Sequence, residues 1–145
     1  MRMEIRIRTF DELSKEELYA IVKTRIAVFV VEQNCPYQEI DDTDKEALHV
    51  FIQEGEKIEA YLRLFPKEEG VVQMGRVLAV PHGEGLGRMT VEEAIRVTRE
   101  RKDIRQIYIE AQTYATGFYE KFGFRICSDE FLEDGIPHVG MVLDL

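Results

Sequence analysis

The 145-residue sequence contains no apolar run approaching the ~20 residues that span a bilayer. Its N-terminus, Met1-Arg2-Met3-Glu4-Ile5-Arg6, lacks the apolar core of a signal peptide and alternates like a strand. Together these absences make the cytoplasm the expected compartment and a membrane partner unexpected. Cysteine occurs only at Cys35 and Cys127, far apart and without a CxxC pair. That gives no metal-site spacing and suits a reduced compartment. Basic charge is also short: 19 Lys and Arg stand against 28 Asp and Glu, a net charge of −9. A nucleic-acid partner wants a basic face. An acidic surface is compatible with a cationic amine substrate, or with solubility alone. No repeat, linker or low-complexity segment divides the chain, so one domain over residues 1–145 is expected, long enough for a real core.

What is present is alternation and helical spacing in turn. Met3, Ile5 and Ile7 alternate with Glu4, Arg6 and Arg8, the pattern of a half-buried strand. A helix follows, capped by Asp11 or by Ser14 with Glu17 in a capping box. Leu18, Ile21, Val22, Ile26 and Phe29 share one face, and Arg25, inside that stripe, needs a carboxylate or a carbonyl. The helix is expected to fail near Pro36, which disfavours helix at the residue before it. The acid-rich stretch 36–44 lacks the EF-hand order and its turn glycine, so it reads as a substrate-facing or solvated loop.

Strands are expected over residues 47–53 and 58–65, joined by a hairpin connection at 54–57, with a second turn at 66–70. A longer strand covers 71–80. The helix after it carries Val91, Ala94, Ile95 and Thr98 on its inner face. A strand at 107–111 then completes a parallel right-handed crossover. A short helix over 115–124 stops at Gly123. Strands near 125–128 and 138–143, with a turn at 134–137 between them, end the chain.

The stretch that organises the rest is Val77-Leu78-Ala79-Val80-Pro81-His82-Gly83-Glu84-Gly85-Leu86-Gly87-Arg88. An apolar strand stops at Pro81, which cannot donate to a ladder. Glycines at alternate positions then let a ligand approach the main chain closely. The unpaired N–H groups of the next helix, with the positive end of its dipole, suit a phosphate or pyrophosphate. The same letters also describe a glycine-rich corner that binds nothing. A Walker loop is excluded because Arg88-Met89 stand where Lys-Ser/Thr is required. A Rossmann turn is excluded by the mid-chain position and the glycine spacing.

His82-Gly83-Glu84-Gly85-Leu86-Gly87, after Leu78-Ala79-Val80-Pro81, resembles the pyrophosphate loop of the GNAT superfamily of N-acetyltransferases. That loop reads Gln/Arg-x-x-Gly-x-Gly/Ala after a strand ending in Val-x-Pro; His82 departs from it, without affecting main-chain cradling. One strand further on, Phe118-Tyr119-Glu120-Lys121-Phe122-Gly123-Phe124 resembles the superfamily's second signature. The segments from Val28 to Asp41 and from Asp134 to Met141 resemble the ElaA-like branch, so the resemblance runs over nearly the whole chain.

It implies an α/β (α+β) GNAT acyl-CoA N-acyltransferase fold. The mixed central sheet would have about seven strands and about four flanking helices, in the order β-α-(α)-β-β-β-α-β-α-β-β. It implies acetyl-CoA as cosubstrate, no metal, and direct transfer of acetyl to a primary amine of a small molecule or peptide; it leaves a homodimer open. A non-catalytic CoA-binding module for regulation or interaction is the alternative, and a plain interaction domain a third.

The resemblance implies that the main chain near Leu78, Ala79 and Val80 pairs with the pantetheine arm, and that residues 82–88 hold the pyrophosphate. These are His82, Gly83, Glu84, Gly85, Leu86, Gly87 and Arg88, whose side chain adds charge to a phosphate or faces solvent. It also implies that Tyr119 protonates the leaving thiolate. From the residues themselves, Glu110 is the first candidate base, interrupting an apolar strand on the face shared with Tyr108 and Gln112. It reads equally as a buried partner of Arg63 or Arg76. His49 and His138 come next, as bases or as satisfied structural residues, and Glu32 after them. A main-chain N–H near Leu78 suits the oxyanion. Cys35 as an acyl carrier is a minor alternative to direct attack.

Overall fold

The computed structural model describes residues 4–80 and 85–145. Strand β1 (Glu4–Thr9) leads into helix α1 (Lys15–Arg25). Ser14, not Asp11, is the cap: its hydroxyl accepts from the Glu17 amide, and the Glu17 carboxylate accepts from the Ser14 amide. Beyond Arg25 the helix widens into a π-helical stretch, Ile26–Glu32, where the sequence predicts continued α-helix. Its run Ile26-Ala27-Val28-Phe29-Val30-Val31 is rich in β-branched residues that crowd the preceding turn. Asn34, with φ 50, ends the stretch before Pro36.

Strands β2 (Leu48–Glu54), β3 (Lys57–Glu68) and β4 (Val71–Ala79) form an antiparallel meander. The turn read at residues 66–70 is corrected: β3 continues through Pro66 and reverses only at Gly70, φ 78. Pairing of β3 with β2 ends at Leu64, so beyond it the proline costs no ladder bond on that side. Helix α2 (Leu86–Arg99) buries Val91, Ala94, Ile95 and Thr98, as its spacing predicts. It crosses to β5 (Gln106–Gln112), which runs parallel to β4.

The one-turn helix α3 (Thr116–Glu120) is followed by β6 (Arg125–Ile126), β7 (Phe131–Glu133) and β8 (Ile136–Asp144). β7 is absent from the sequence reading because three residues carry no period. Asp134 (φ 51) and Gly135 (φ 78) alone form the turn, so Ile136 and Pro137 already belong to β8. The mixed sheet runs β1-β2-β3-β4-β5-β8-β6, with β7 on β8. α2 covers one face over Val50, Leu62, Met74, Ile107 and Ile109. α1 packs on the other face, its Ala20 and Ile21 against Phe51, Tyr61 and Leu78.

The carboxylates of the acidic loop are tied to the sheet rather than solvated, which corrects that reading of it, while Tyr37, Asp41 and Thr43 face a cavity. Arg25, fully buried, donates to Glu39 at 2.8 Å and to Asp44 at 2.7 Å. Arg63 on β3 binds Asp41 and Asp44 at 2.7 and 2.9 Å. Arg76 on β4 reaches Glu39 at 2.9 Å and Asp41 at 3.4 Å. The three cations and three carboxylates compensate one another, and they clamp residues 39–44 onto the sheet. Burial works against the charge of Asp41, but Arg63 and Arg76 outweigh it and hold the carboxyl below the usual range.

Removing one member leaves uncompensated charge in a dry environment. Arg25→Ala is therefore expected to cost about 3–5 kcal/mol in urea denaturation. A loss below about 1 kcal/mol, the size of a surface pair, would contradict this account of the clamp.

Candidate active site

β4 and β5 pair from Val71–Gln106 to Met74–Ile109 and no further, although β4 runs to Ala79 and β5 to Gln112. At the point of separation β4 is bulged. Two of its residues, Arg76 and Val77, stand opposite the single residue Leu62 between the pairs Arg63–Gly75 and Tyr61–Leu78. Arg76 takes φ 52, a costly conformation for a residue with a side chain. The clamp holds it there: its guanidinium donates to the Glu39 carboxylate and to the Glu39 carbonyl at 3.0 Å, and lies 5.2 Å from the Tyr37 ring centre.

A cavity of about 630 Å³ occupies the space between the parted strands. β4 contributes residues 73–79, β5 contributes 109–112, and Cys35, Tyr37, Glu133, Asp134 and His138 close the sides. A second cavity, about 360 Å³, shares Val77, Leu78, Ala79 and Tyr119 with the first and runs to Gly85, Leu86, Gly87 and Arg88 at the start of α2. Gly85 is the helix cap at φ 69, and the first helical bond is from Met89 N–H to the Gly85 carbonyl, 3.1 Å. The amides of Leu86, Gly87 and Arg88 therefore precede any helical acceptor. A Cβ on Gly87 would stand 3.3 Å from Ala79 Cβ, so the helix start lies close against β4.

The main chain of β4 alternates. Val80 N–H donates to the Glu59 carbonyl on β3 at 2.8 Å, and Leu78 pairs with Tyr61 on the same strand. Ala79 between them turns its N–H and C=O away from β3, toward the groove. The groove-facing main chain beside Leu78 is thus that of Ala79; the Leu78 side chain is packed in the α1 face of the core.

Tyr119 lies where the two cavities meet, buried edge-on against Phe118 and Phe124. Burial pushes its phenol up, so it stays protonated at neutral pH. Glu110 lines the first cavity. It does not pair with Arg63 or Arg76, which are committed to the clamp, so that alternative is corrected. It accepts from Tyr108 Oη at 3.0 Å, and Gln73 Nε2 stands 3.5 Å from its other oxygen. Burial and the Glu110 carboxylate push the Tyr108 phenol up to about 12.

His138 is buried in the cavity wall, with Nδ1 2.7 Å from the Ile136 carbonyl and Nε2 3.4 Å from Glu133. His49 lies in the core away from both cavities: Nδ1 meets Tyr61 Oη at 2.7 Å and Nε2 meets the Asp44 carbonyl at 2.9 Å. As a substrate residue it is corrected, since it has neither exposure nor a free nitrogen. Glu32 is exposed and outside the cavity wall, to which its neighbours Gln33 and Cys35 contribute instead. Arg88 is exposed, 3.7 Å from Glu92. His82, Gly83 and Glu84 lie outside the described residues. Glu133 and Tyr37 escaped the sequence reading, and Arg76 entered it only as a candidate partner of Glu110, not as the residue at a bulge.

Among the described residues no three metal-ligating side chains stand close enough to hold an ion, and no helix is long and apolar enough to cross a membrane. The family model described as the acetyltransferase (GNAT) domain matches residues 10–145. The ElaA protein of Escherichia coli is 35% identical over 141 residues, covering 93% of this chain and 92% of its own. Its crystal structure superposes with a TM-score of 0.90 at 33% identity, over 97% of this chain and 99% of that one. The crystal structure of an acyl-CoA N-acyltransferase from Pseudomonas aeruginosa, 35% identical, also gives 0.90, over the same shares.

Burial lowers the affinity of His49 for a proton, and this outweighs the nearby Asp44. The unfolded chain then takes up a proton below about pH 6.5 that the folded chain refuses. Stability present above that pH is expected to be lost as the pH falls toward the lower folded value. Urea midpoints at about pH 7 and about pH 5.5 measure the slope, and His49→Gln should flatten it. An identical slope in the variant would contradict the assignment.

Proposed function

The chain belongs to the GNAT acetyltransferase family and is an acyltransferase of that type, and from this premise we propose that it moves an acetyl group from acetyl-CoA to a primary amine of a small molecule or peptide. The observation that carries the reading is the position of Tyr119. It faces both a cavity ending at the first-turn amides of α2 and a cavity walled by carboxylates. A coenzyme thioester and an amine entering from opposite sides would meet beside its phenol.

The residues fit that cosubstrate. The amides of Leu86, Gly87 and Arg88, at the positive end of α2, suit a pyrophosphate, and we assign His82, Gly83, Glu84 and Gly85 to the same loop. Groove-facing Ala79, between Leu78 and Val80, offers an N–H and a C=O to an amide-bearing arm lying along β4 as an added strand. A β4 main-chain N–H beyond Met74 is placed to bind the carbonyl oxygen as it gains charge. Glu110 takes a proton from the incoming ammonium, which leaves the nitrogen a lone pair for attack on the thioester carbon. The C–N bond forms and the C–S bond breaks; Tyr119 Oη gives its proton to the departing sulfur, and the second proton that the nitrogen sheds on becoming an amide restores the phenol through water. His138 lines the acceptor side; Glu32 and His49 take no part in this scheme.

Acetyl-CoA is expected to raise the melting temperature, since a ligand selective for the folded state at ~100 times its Kd adds about 2.7 kcal/mol. Thiol release from acetyl-CoA with a panel of primary amines should fall on the order of a hundredfold in Tyr119→Phe, with the thermal shift retained. A thermal shift with no thiol release from any amine would favour a binding module, and no shift at all would reject the coenzyme.

A further inference from the structure

Glu110 does not work alone in its cavity. Glu133, the last residue of β7, lines the same cavity as Glu110, faces its carboxyl, and stands 3.4 Å from His138 Nε2. The hairpin fixes this arrangement: Phe131 pairs across to His138 and stacks on its ring, and Glu133 pairs across to Ile136. The Ile136 carbonyl can only accept, so Nδ1 carries a proton, and Nε2 faces the Glu133 carboxyl. Two carboxyl groups facing each other repel while both are charged and attract once one proton lies between them. No lysine or arginine among the described residues forms an ion pair with either. The other titratable groups around the pair are Tyr108 on Glu110, Lys67 over the Tyr108 ring at 4.2 Å, and Cys127 and Asp134 nearby.

We propose that Glu133 is a positioning carboxylate that shares the proton Glu110 takes from the acceptor's ammonium, with His138 Nε2 as the onward acceptor. This rests on the acetyl-transfer reading above. In the step an N–H bond of the ammonium breaks and its proton adds to a Glu110 oxygen. The carboxylate pair loses one negative charge, and the nitrogen keeps the electron pair it uses in attack. Glu133, half exposed at the cavity mouth, then releases a proton to His138 or to water. The inference explains why a carboxylate can serve against an amine at all. Burial and the Glu110 carboxyl raise the Glu133 carboxyl more than His138 lowers it, which brings the pair nearer to the pH at which it must hold a proton.

Carbon-13 NMR of the side-chain carboxyls in the full chain tests the pair without turnover. The Glu133 signal is expected to titrate above the ~4.3 of a free glutamate and to fall back in Glu110→Gln. A Glu133 titration unmoved by that substitution overturns the proposal. The second arm is the pH profile of thiol release from acetyl-CoA, with n-butylamine and a lysine peptide as probes. Glu133→Gln, isosteric and on a half-exposed hairpin, should move the acid limb of kcat/KM to lower pH and lower its plateau by about tenfold or more, with Glu133→Asp recovering part. An active Glu133→Gln enzyme with an unmoved limb overturns the pair while leaving acetyl transfer intact. A coupled titration with no thiol release from any amine overturns the acetyl-transfer reading, and the pair's use as a base with it.

Discussion

Two parallel strands that stop bonding to each other part-way along their length leave main chain with nothing to pair with, and the molecule is built around that vacancy. β4 and β5 separate after Met74 and Ile109. An unpaired strand edge inside a fold is costly unless something fills it. Here the space opens into two connected cavities rather than being closed by side chains. The bulge at Arg76 is what turns β4 aside, and a left-handed arginine would not persist there without compensation. The compensation is the ionic clamp, which binds the Arg76 guanidinium through the side chain and main chain of Glu39. The acidic loop, the end of α1 and the bulge are therefore one mechanical unit.

That unit also sets the electrostatics of the groove. Arg25, Arg63 and Arg76 are neutralised by Glu39, Asp41 and Asp44. The clamp is thus locally balanced, and the surplus acid of the cavity is concentrated on the opposite wall, at Glu110, Glu133 and Asp134. A cation entering the cavity is drawn toward that wall, away from the arginines. The chain's net charge of −9 acts in the same direction at longer range. The loop that positions the bulge thus also cancels the charge of the three arginines, although its residues look in sequence like solvated surface.

Much of the architecture was legible because it follows from local period and turn chemistry. The inner face of α2, the Ser14–Glu17 capping box as one of two caps, the β2–β3 hairpin and the parallel crossover were all readable from spacing. The glycine corner and the Tyr119 segment were readable as a resemblance, whose family and fold the comparisons support. Long-range pairing was not legible. Whether Glu110 meets an arginine or a tyrosine depends on which charges the acidic loop has already claimed. His49 looked like a candidate until the register set it opposite Arg63 and under the loop. β7 is too short to carry a period, so Glu133 could not be placed beside Glu110. The π-helical widening after Arg25 was missed because the apolar spacing fits either helix, although the β-branched run was there to be read.

The account stands on the unpaired main chain of β4 and the first turn of α2 receiving one coenzyme molecule whose sulfur reaches Tyr119. Amide chemical-shift mapping during titration with acetyl-CoA tests this directly. The amides of Ala79, Leu86, Gly87 and Arg88 and the Tyr119 ring are predicted to move together along one saturation curve, while Val80, already bonded to β3, moves less. Saturable shifts that leave these amides unchanged and cluster elsewhere on the surface would contradict it.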